Sequence, residues 1–183
     1  ALAPVDQVVP VIGGKDSLAF LTNEIYTSLL VFTGEAEILE PGLVLKRLDF
    51  AGEEAKELFR QFHRDRINDK ELRPADCARI FPLLSQRFLA LAWVQEQVEM
   101  GVRDNADEDY THIDYAHDIN DVAFRTFQGS LTLELVDLVR CETVWKGVAR
   151  YSTGEMYADN DPGDLWTGRS LACTRVARML SLD

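Results

Sequence analysis

The segment from residue 103 to residue 121, RDNADEDYTHIDYAHDIND, holds the densest group of side chains that could bind a metal ion. Carboxylates and imidazoles are ligands for divalent cations, and the candidates are Asp107, Asp109, His112, Asp114 and His117. Their spacing does not match a calcium-binding EF-hand, which needs acidic residues at alternate positions around a central glycine. We therefore predict an exposed, metal-free acidic loop. A metal- or ligand-binding protein, or an enzyme, that uses residues 103–121 is the alternative hypothesis.

Three other motifs have simpler explanations as structural features. VIGGKDS, residues 11–17, lacks the glycine spacing of a phosphate-binding loop, so Gly13 and Gly14 are predicted to form a tight turn. DNDPGD resembles a calcium loop, but Asp164 as the cap of a following helix explains it better. The chain has no G-x-S-x-G motif and only three histidines, which is poor material for a catalytic triad. We expect no catalytic residue, no enzymatic activity and no cofactor.

Length and charge limit the classes of partner. A chain of 183 residues with 46% hydrophobic residues is predicted to form one domain, residues 1–183. The net charge of −12 argues against nucleic-acid binding, which needs a basic stripe, and against anionic membrane surfaces. The longest apolar runs are far shorter than the roughly 20 residues of a membrane-spanning helix, so we expect no transmembrane segment.

The cysteines suggest the compartment without deciding it. The three cysteines are Cys77, Cys141 and Cys173, and no two of them form a CxxC motif. A zinc ribbon or a thioredoxin-type site is therefore not expected. An odd number leaves at least one free thiol. Cys173 lies close to Ala172 and Val176 and is predicted to be a small core residue. One disulfide in an oxidising compartment is compatible with the sequence, but the spacing does not select the pair.

The elements that must position these residues follow from hydrophobic periodicity. Period-two alternation and apolar runs predict strands, whereas spacings of three and four predict amphipathic helices. We predict strands at residues 7–12, 36–39 and 43–48 (separated by a turn at Pro41-Gly42), 88–100, 123–136 and 143–151, and helices at residues 16–32, 53–67, from 74, and 165–182. The order β-α-β-α-α-β-β-β-α predicts an α+β fold, a sandwich in which helices pack on one mixed sheet. Pro10 predicts that the first strand lies at a sheet edge, or that the Pro10 nitrogen faces away from the neighbouring strand.

The hairpin LTLELVDLVRCETVWKGVARY is the most informative pair of strands. Leu131, Leu133 and Leu135 alternate with polar residues or valine, and Trp145 shares a face with Gly147 and Ala149. We predict that this second face packs against the last helix. Edge strands of such a sheet are able to accept a strand from another chain.

The order of the predicted elements resembles that of a known family. The matching segments are VVPVI, SLAFLTNEIYTSLLVF, AEILEPGLVLKRL, FLALAWVQE, this hairpin and the final helix DLWTGRSLACTRVARMLSL. It is similar to the periplasmic α/β domain of Gram-negative cell-envelope lipoproteins, a type that includes the curli-export lipoprotein, the N-terminal domain of the Tol propeller protein and the Pel ring lipoprotein. The family turn usually carries Thr-Gly-Glu, whereas this chain has Arg140-Cys141-Glu142. The loss of that glycine puts the turn type in question.

The resemblance implies a non-catalytic assembly or scaffold domain in the periplasm, anchored to the outer membrane as part of a lipoprotein. Its expected partners are other envelope proteins, together with self-association through a sheet edge, while the acidic loop is expected to meet a basic partner. The first residue is Ala1. A removed signal sequence is one explanation and a chosen starting point is the other, and a lipid-bearing cysteine immediately before Ala1 would agree with lipoprotein processing.

Overall fold

The computed structural model describes residues 1–8, 11, 13–33, 38–103, 122–154, 156–157 and 163–182. In chain order its helices are α1 (Gly14–Thr33), α2 (Pro41–Ala51), α3 (Glu53–Ile67), α4 (Pro74–Leu84) and α5 (Gly163–Leu182). Its strands are β1 (Asp6–Gln7), β2 (Phe88–Arg103), β3 (Val122–Asp137), β4 (Glu142–Ser152) and β5 (Met156–Tyr157). The predicted α+β class, with helices packed on a mixed sheet, is confirmed.

The sheet has the order β1-β2-β3-β4, and β5 pairs with the far end of β3. Strand β1 runs parallel to β2, whereas β2, β3 and β4 are antiparallel to their neighbours. The β2–β3 ladder is long, and it pairs Phe88 with Asp137 at one end and Arg103 with Val122 at the other. Strand β1 therefore lies at one edge of the sheet, as Pro10 predicted, and β4 lies at the other.

Helices cover both faces of this sheet. Helices α1 and α5 pack on the face that carries Ala90, Ala92 and Val94 of β2, while α2, α3 and α4 pack on the face that carries alternate residues of the same strand, Leu89, Leu91 and Trp93. Both sets are buried, as the continuous apolar start of β2 predicted for a central strand. The result is a three-layer arrangement with a separate hydrophobic core on each side of the sheet.

The predicted faces of the hairpin are confirmed. Leu131 and Leu133 of β3 are fully buried beneath α1 and α5, and Gly147 and Ala149 of β4 are buried on the same face. Trp145 is half-buried, because its ring lies over Gly147 at the margin of the core. The alternation of β3 does not predict that its other face is also buried. Thr132, Glu134 and Val136 are buried there because the α2–α4 layer covers this face.

The predicted strand at residues 43–48 is wrong, because these residues lie inside α2. Pro41 occupies the first turn of this helix, where its fixed φ and missing N–H are tolerated. Val44 and Leu48, four residues apart, supply the buried stripe. Gly52, with φ of 96°, separates α2 from α3. The short run LVLKRL fits both periodicities, and the helical packing prevails in the folded chain.

Strands β2 and β3 are longer than predicted and extend to Arg103 and from Val122. Arg103, the first residue of the predicted loop 103–121, belongs to β2, and residues 104–121 lie outside the described residues. Strand β1 is shorter than the predicted strand at residues 7–12, of which residues 9, 10 and 12 also lie outside the described part.

A disulfide joins Cys77 of α4 to Cys141 in the β3–β4 turn. Cys173 is free and buried, as predicted. Cys141 takes the left-handed position that a glycine would favour, with φ of 55°. The turn is held by Asp137, whose Oδ1 accepts hydrogen bonds from the backbone N–H groups of Val139 (3.0 Å) and Arg140 (3.2 Å). The bond ties the helical layer to the tip of the hairpin.

Candidate protein-interaction surface

Strand β4 is the long open edge of the sheet. Thr153 donates its backbone N–H to the carbonyl oxygen of Phe127 (2.9 Å) just beyond the β3–β4 ladder. Hydrogen-bonded pairs alternate with non-hydrogen-bonded pairs along antiparallel strands. In the observed register, Lys146, Val148 and Arg150 therefore direct their N–H and C=O groups away from β3. Among the described residues, no strand pairs with this side of β4.

The face of β4 opposite α5 is also open. Val144 and Val148 are 42% and 46% exposed, because helices α2–α4 pack mainly over β2 and β3 and leave these two residues of the outer strand uncovered. The opposite edge strand, β1, spans only two residues. Strand β4 therefore offers the longer row of unpaired backbone groups.

A groove runs between β4 and α5. It consists of two adjoining clefts of about 570 and about 640 Å³ that share Arg150 of β4 and Arg175 of α5. Leu171 lines the first cleft, and Arg178 and Met179 line the second. We call Arg150, Arg175 and Arg178 the arginine row.

The arginine row is exposed and makes no ion pair with any other residue in the described part of the chain. Other arginines are used internally: Arg66 binds Glu134 (2.7 Å), and Arg87 binds Asp137 (2.7 Å). The three guanidinium groups have no ion-pair partner among the described residues, and they make the groove a local basic region on a chain whose net charge is −12. Such a region attracts carboxylates.

Beneath the groove lies a buried polar cluster. The Arg169 Nε and Nη2 atoms donate to the two carboxylate oxygens of Glu96 at 2.7 and 2.8 Å, and Nη1 donates to the Ser17 hydroxyl at 2.9 Å. The Tyr151 hydroxyl also donates to Glu96. Burial opposes the charge on Arg169, but the hydrogen bond and charge of Glu96 raise its pKa. Burial and the same carboxylate raise the pKa of Tyr151 far above its ordinary value.

This cluster joins α1, β2, β4 and α5, and its groups satisfy one another. A second buried ion pair, between Arg66 of α3 and Glu134 of β3, fulfils the same role on the other face of the sheet. The Thr143 hydroxyl also donates to Glu134. Both pairs therefore position the strands. The Glu96–Arg169 cluster lies directly beneath the groove at Tyr151.

Two glycines hold Tyr151 in place. A Cβ atom on Gly129 would overlap the Tyr151 ring, whereas a Cβ atom on Gly168 of α5 would lie 3.4 Å from that ring, in ordinary contact. We expect Gly129→Ala to push the ring away from Glu96 and to lower the free energy of unfolding by about 1–3 kcal/mol. Gly154→Ala is the matched control, since its Cβ would meet no atom within 4 Å. Urea unfolding measures both; equal midpoints would contradict the predicted overlap.

We expect the free energy of unfolding to depend on pH through His63 of α3. Its ring is buried against Trp93 and its Nε2 atom has no hydrogen-bond partner among the described residues. Burial lowers the pKa of His63, although the charges of Asp6 and Glu134 and a hydrogen bond to the Ala92 backbone oppose this shift. The neutral ring is therefore favoured in the folded chain.

The unfolded chain binds a proton at His63 once the pH falls below about 6.5, whereas the folded chain does not. Stability is thus complete above that pH and decreases below it, by at most about 1.4 kcal/mol per pH unit, until the lowered pKa is reached. We expect His63→Phe to remove this component. Urea unfolding at pH 7.5 and 5.5 tests it, and an identical pH dependence for variant and wild type would contradict it.

The metal-ligand candidates Asp107, Asp109, His112, Asp114 and His117 all lie outside the described residues. Within the described part of the chain, no three His, Cys, Asp or Glu side chains are grouped closely enough to hold a metal ion. Residues 159–162 of DNDPGD also lie outside the described residues. Helix α5 begins at Gly163, so Asp164 lies inside the helix and its predicted capping position is wrong. The Gly13-Gly14 turn is present, with φ values of 80° and 53°.

A metal-free acidic loop remains a prediction. We expect calcium, zinc or manganese to leave the melting temperature nearly unchanged, since specific binding would stabilise the fold by about 2.7 kcal/mol at a hundredfold excess over Kd. A shift of several degrees with one metal, abolished by Asp107→Asn combined with Asp109→Asn, would instead support the metal-binding alternative. Thermal unfolding with and without a chelator provides the baseline.

Sequence reasoning missed the arginine row and both buried ion pairs. Leu171, Arg175, Arg178 and Met179 do show helical spacing, which could have indicated one mixed face of the last helix. Nothing local indicated that Arg150, on a strand, lines the same groove. Glu96 and Arg169 are separated by 73 residues, and no short motif connects them.

No protein-family model and no curated protein matches the chain. Two solved structures are similar to this chain along nearly its whole length. The lipoprotein GNA1162 from Neisseria meningitidis has 13% identity and a TM-score of 0.49, covering 100% of this chain and 96% of that one. The hypothetical protein CT253 from Chlamydia trachomatis has 9% identity and a TM-score of 0.48, covering 98% and 93%. Both TM-scores lie below 0.5.

None of the helices in the described part of the chain combines the length and the apolar character that crossing a membrane requires.

Proposed function

We propose that this chain is a non-catalytic assembly domain of the Gram-negative cell envelope, which binds another envelope protein by accepting an extended segment on β4. The observation that carries the proposal is the open edge of β4. Its outward N–H and C=O groups lie at Lys146, Val148 and Arg150, beside exposed valines and a preformed groove. Partners that add a strand to such an edge gain main-chain hydrogen bonds, and neighbouring pockets provide specificity.

The disulfide supports the periplasmic location. Disulfides form and persist in oxidising compartments such as the periplasm and are rare in the reducing cytosol. The Cys77–Cys141 bond joins two layers of the fold at buried or half-buried positions, which is the arrangement of a structural bond. A periplasmic domain of an outer-membrane lipoprotein is the setting that agrees with both this bond and the sequence resemblance.

The described buried charges support a non-catalytic role. Glu96 and Arg169 are held in one cluster, and Glu134 is held by Arg66. Burial raises the pKa of the free Cys173 thiol to about 12, which keeps it protonated and unreactive. The proposal therefore assigns these groups to the stability of the scaffold and assigns recognition to the exposed surface.

Site-specific photo-crosslinking in the source organism tests this function. A photoreactive residue in place of Val148 is expected to give a discrete adduct in the envelope fraction, whereas one in place of Leu45, which is exposed on α2, is expected to give none. Val148→Pro removes one outward N–H without touching the β3 ladder and should abolish the interaction. Val148→Thr retains the N–H and is the matched control.

For the crosslinking with Val148→Pro, the photoreactive residue is placed at Val144, on the same open face of β4. An adduct that persists unchanged in Val148→Pro, while circular dichroism shows a folded protein, would contradict strand addition. Equal adducts from β4 and α2 would contradict a specific interface on β4.

A further inference from the structure

We infer that the segment added to β4 is an acidic, extended segment of a different protein, held by the arginine row. This inference rests on the proposed function and specifies the chemistry of the partner. The observation behind it is the position of Arg175 and Arg178 of α5 along the groove that the added strand would occupy, with Arg150 of β4 also lining its edge.

A strand beside β4 would run along α5, because the groove follows both elements. The groove-lining stripe of α5 presents Leu171, Arg175, Arg178 and Met179, at successive helical spacings. Leu171 and Met179 are 50% and 40% exposed, so the stripe offers apolar contacts at its ends and cations at its centre. Alternate side chains of an added strand point toward the same face. Carboxylates at those positions would meet Arg175 and Arg178.

The charge of the arginine row argues against a second copy as the occupant. An antiparallel pair of β4 strands related by a two-fold axis would form one continuous sheet and place both α5 helices on the same side. Arg175 and Arg178 of the two copies would then approach each other. The second β4 would also bring a second Arg150 to the interface, whereas its Lys146 is already paired with Asp69 at 2.6 Å. Like charges across an interface are unfavourable, whereas an acidic segment neutralises the row.

Fluorescence anisotropy with a defined probe tests the inference. The probe is a fluorescein-labelled peptide of ten residues that alternates glutamate with valine, and its matched control replaces each glutamate with glutamine. We expect the acidic peptide to bind the wild-type protein at least about fivefold more tightly, with an affinity that falls as salt rises from about 50 to about 500 mM.

The protein variants separate position from total charge. Arg175→Gln combined with Arg178→Gln should weaken binding of the acidic peptide by about fivefold to tenfold. Arg64→Gln combined with Arg79→Gln makes the same change in net charge on α3 and α4, across the sheet, and should leave binding nearly unchanged. All four arginines are exposed, so the fold is retained.

Equal binding of the acidic and glutamine peptides, abolished by Val148→Pro, would overturn the inference while supporting strand addition itself. Equal effects of the two double variants would also overturn it, because general attraction would then explain the binding. A β4-mediated dimer in sedimentation analysis, lost in Val148→Pro, would identify a second copy as the occupant and overturn it. Failure of the acidic peptide to bind at about 1 mM would overturn it as well, and the crosslinking result would still decide the proposed function.

Discussion

Arg169→Met is expected to destabilise the fold by about 3–5 kcal/mol, because it leaves the Glu96 carboxylate buried without its cation. Glu96 receives two hydrogen bonds from the guanidinium group, at 2.7 and 2.8 Å, and neither side chain contacts solvent appreciably. Removing one partner leaves a buried, unpaired charge, so it lowers the free energy of unfolding strongly. Replacing both partners with apolar residues would change the free energy of unfolding much less. Urea unfolding at pH 7 measures the change.

Two further variants identify the cause. Arg79→Met breaks an exposed ion pair with Glu54 and should cost less than about 1 kcal/mol. Adding Glu96→Gln to Arg169→Met removes the buried charge, while the amide oxygen still accepts from Tyr151, and should restore much of the lost stability. If Arg169→Met unfolds at the same urea concentration as Arg79→Met, the Glu96–Arg169 pair does not contribute to the stability of the fold as expected.

Removal of the disulfide is expected to lower the free energy of unfolding by about 4 kcal/mol. The bond closes a loop with a sequence separation of 64 residues, and a loop of that length removes considerable chain entropy from the unfolded state. Cys77→Ala combined with Cys141→Ala should show this loss in urea. Wild-type protein unfolded in dithiothreitol should show a loss of similar size.

Cys173→Ala is the control for the loss of a buried thiol, since Cys173 is free. It keeps the Cys77–Cys141 bond, so dithiothreitol should lower its free energy of unfolding by as much as it lowers that of wild type. A wild-type midpoint that does not move in dithiothreitol, together with two alkylatable thiols at Cys77 and Cys141 in the protein isolated from its source, would contradict the disulfide. It would also remove the main support for an oxidising compartment.

Local periodicity in the sequence was sufficient for most elements. Helices α1, α3 and α5 and strands β2, β3 and β4 were predicted because each carries several turns or pleats of consistent spacing. Residues 43–48 were assigned wrongly because a short apolar run fits either period. Their exposed Leu43 and Leu45 and buried Val44 and Leu48 show the helical pattern only once α2 has neighbours to pack against.

The sequence by itself determined the α+β class, the faces of the hairpin, the edge position of β1 and the burial of Cys173, because these depend on contacts between near neighbours or on simple alternation. Tertiary structure alone decided the cysteine pair, the Glu96–Arg169 cluster and the arginine row. Each of these joins residues that are far apart in the chain, Cys77 and Cys141 by 64 positions and Glu96 and Arg169 by 73. Their meeting depends on how the helices cross the two faces of the sheet, which no local pattern records.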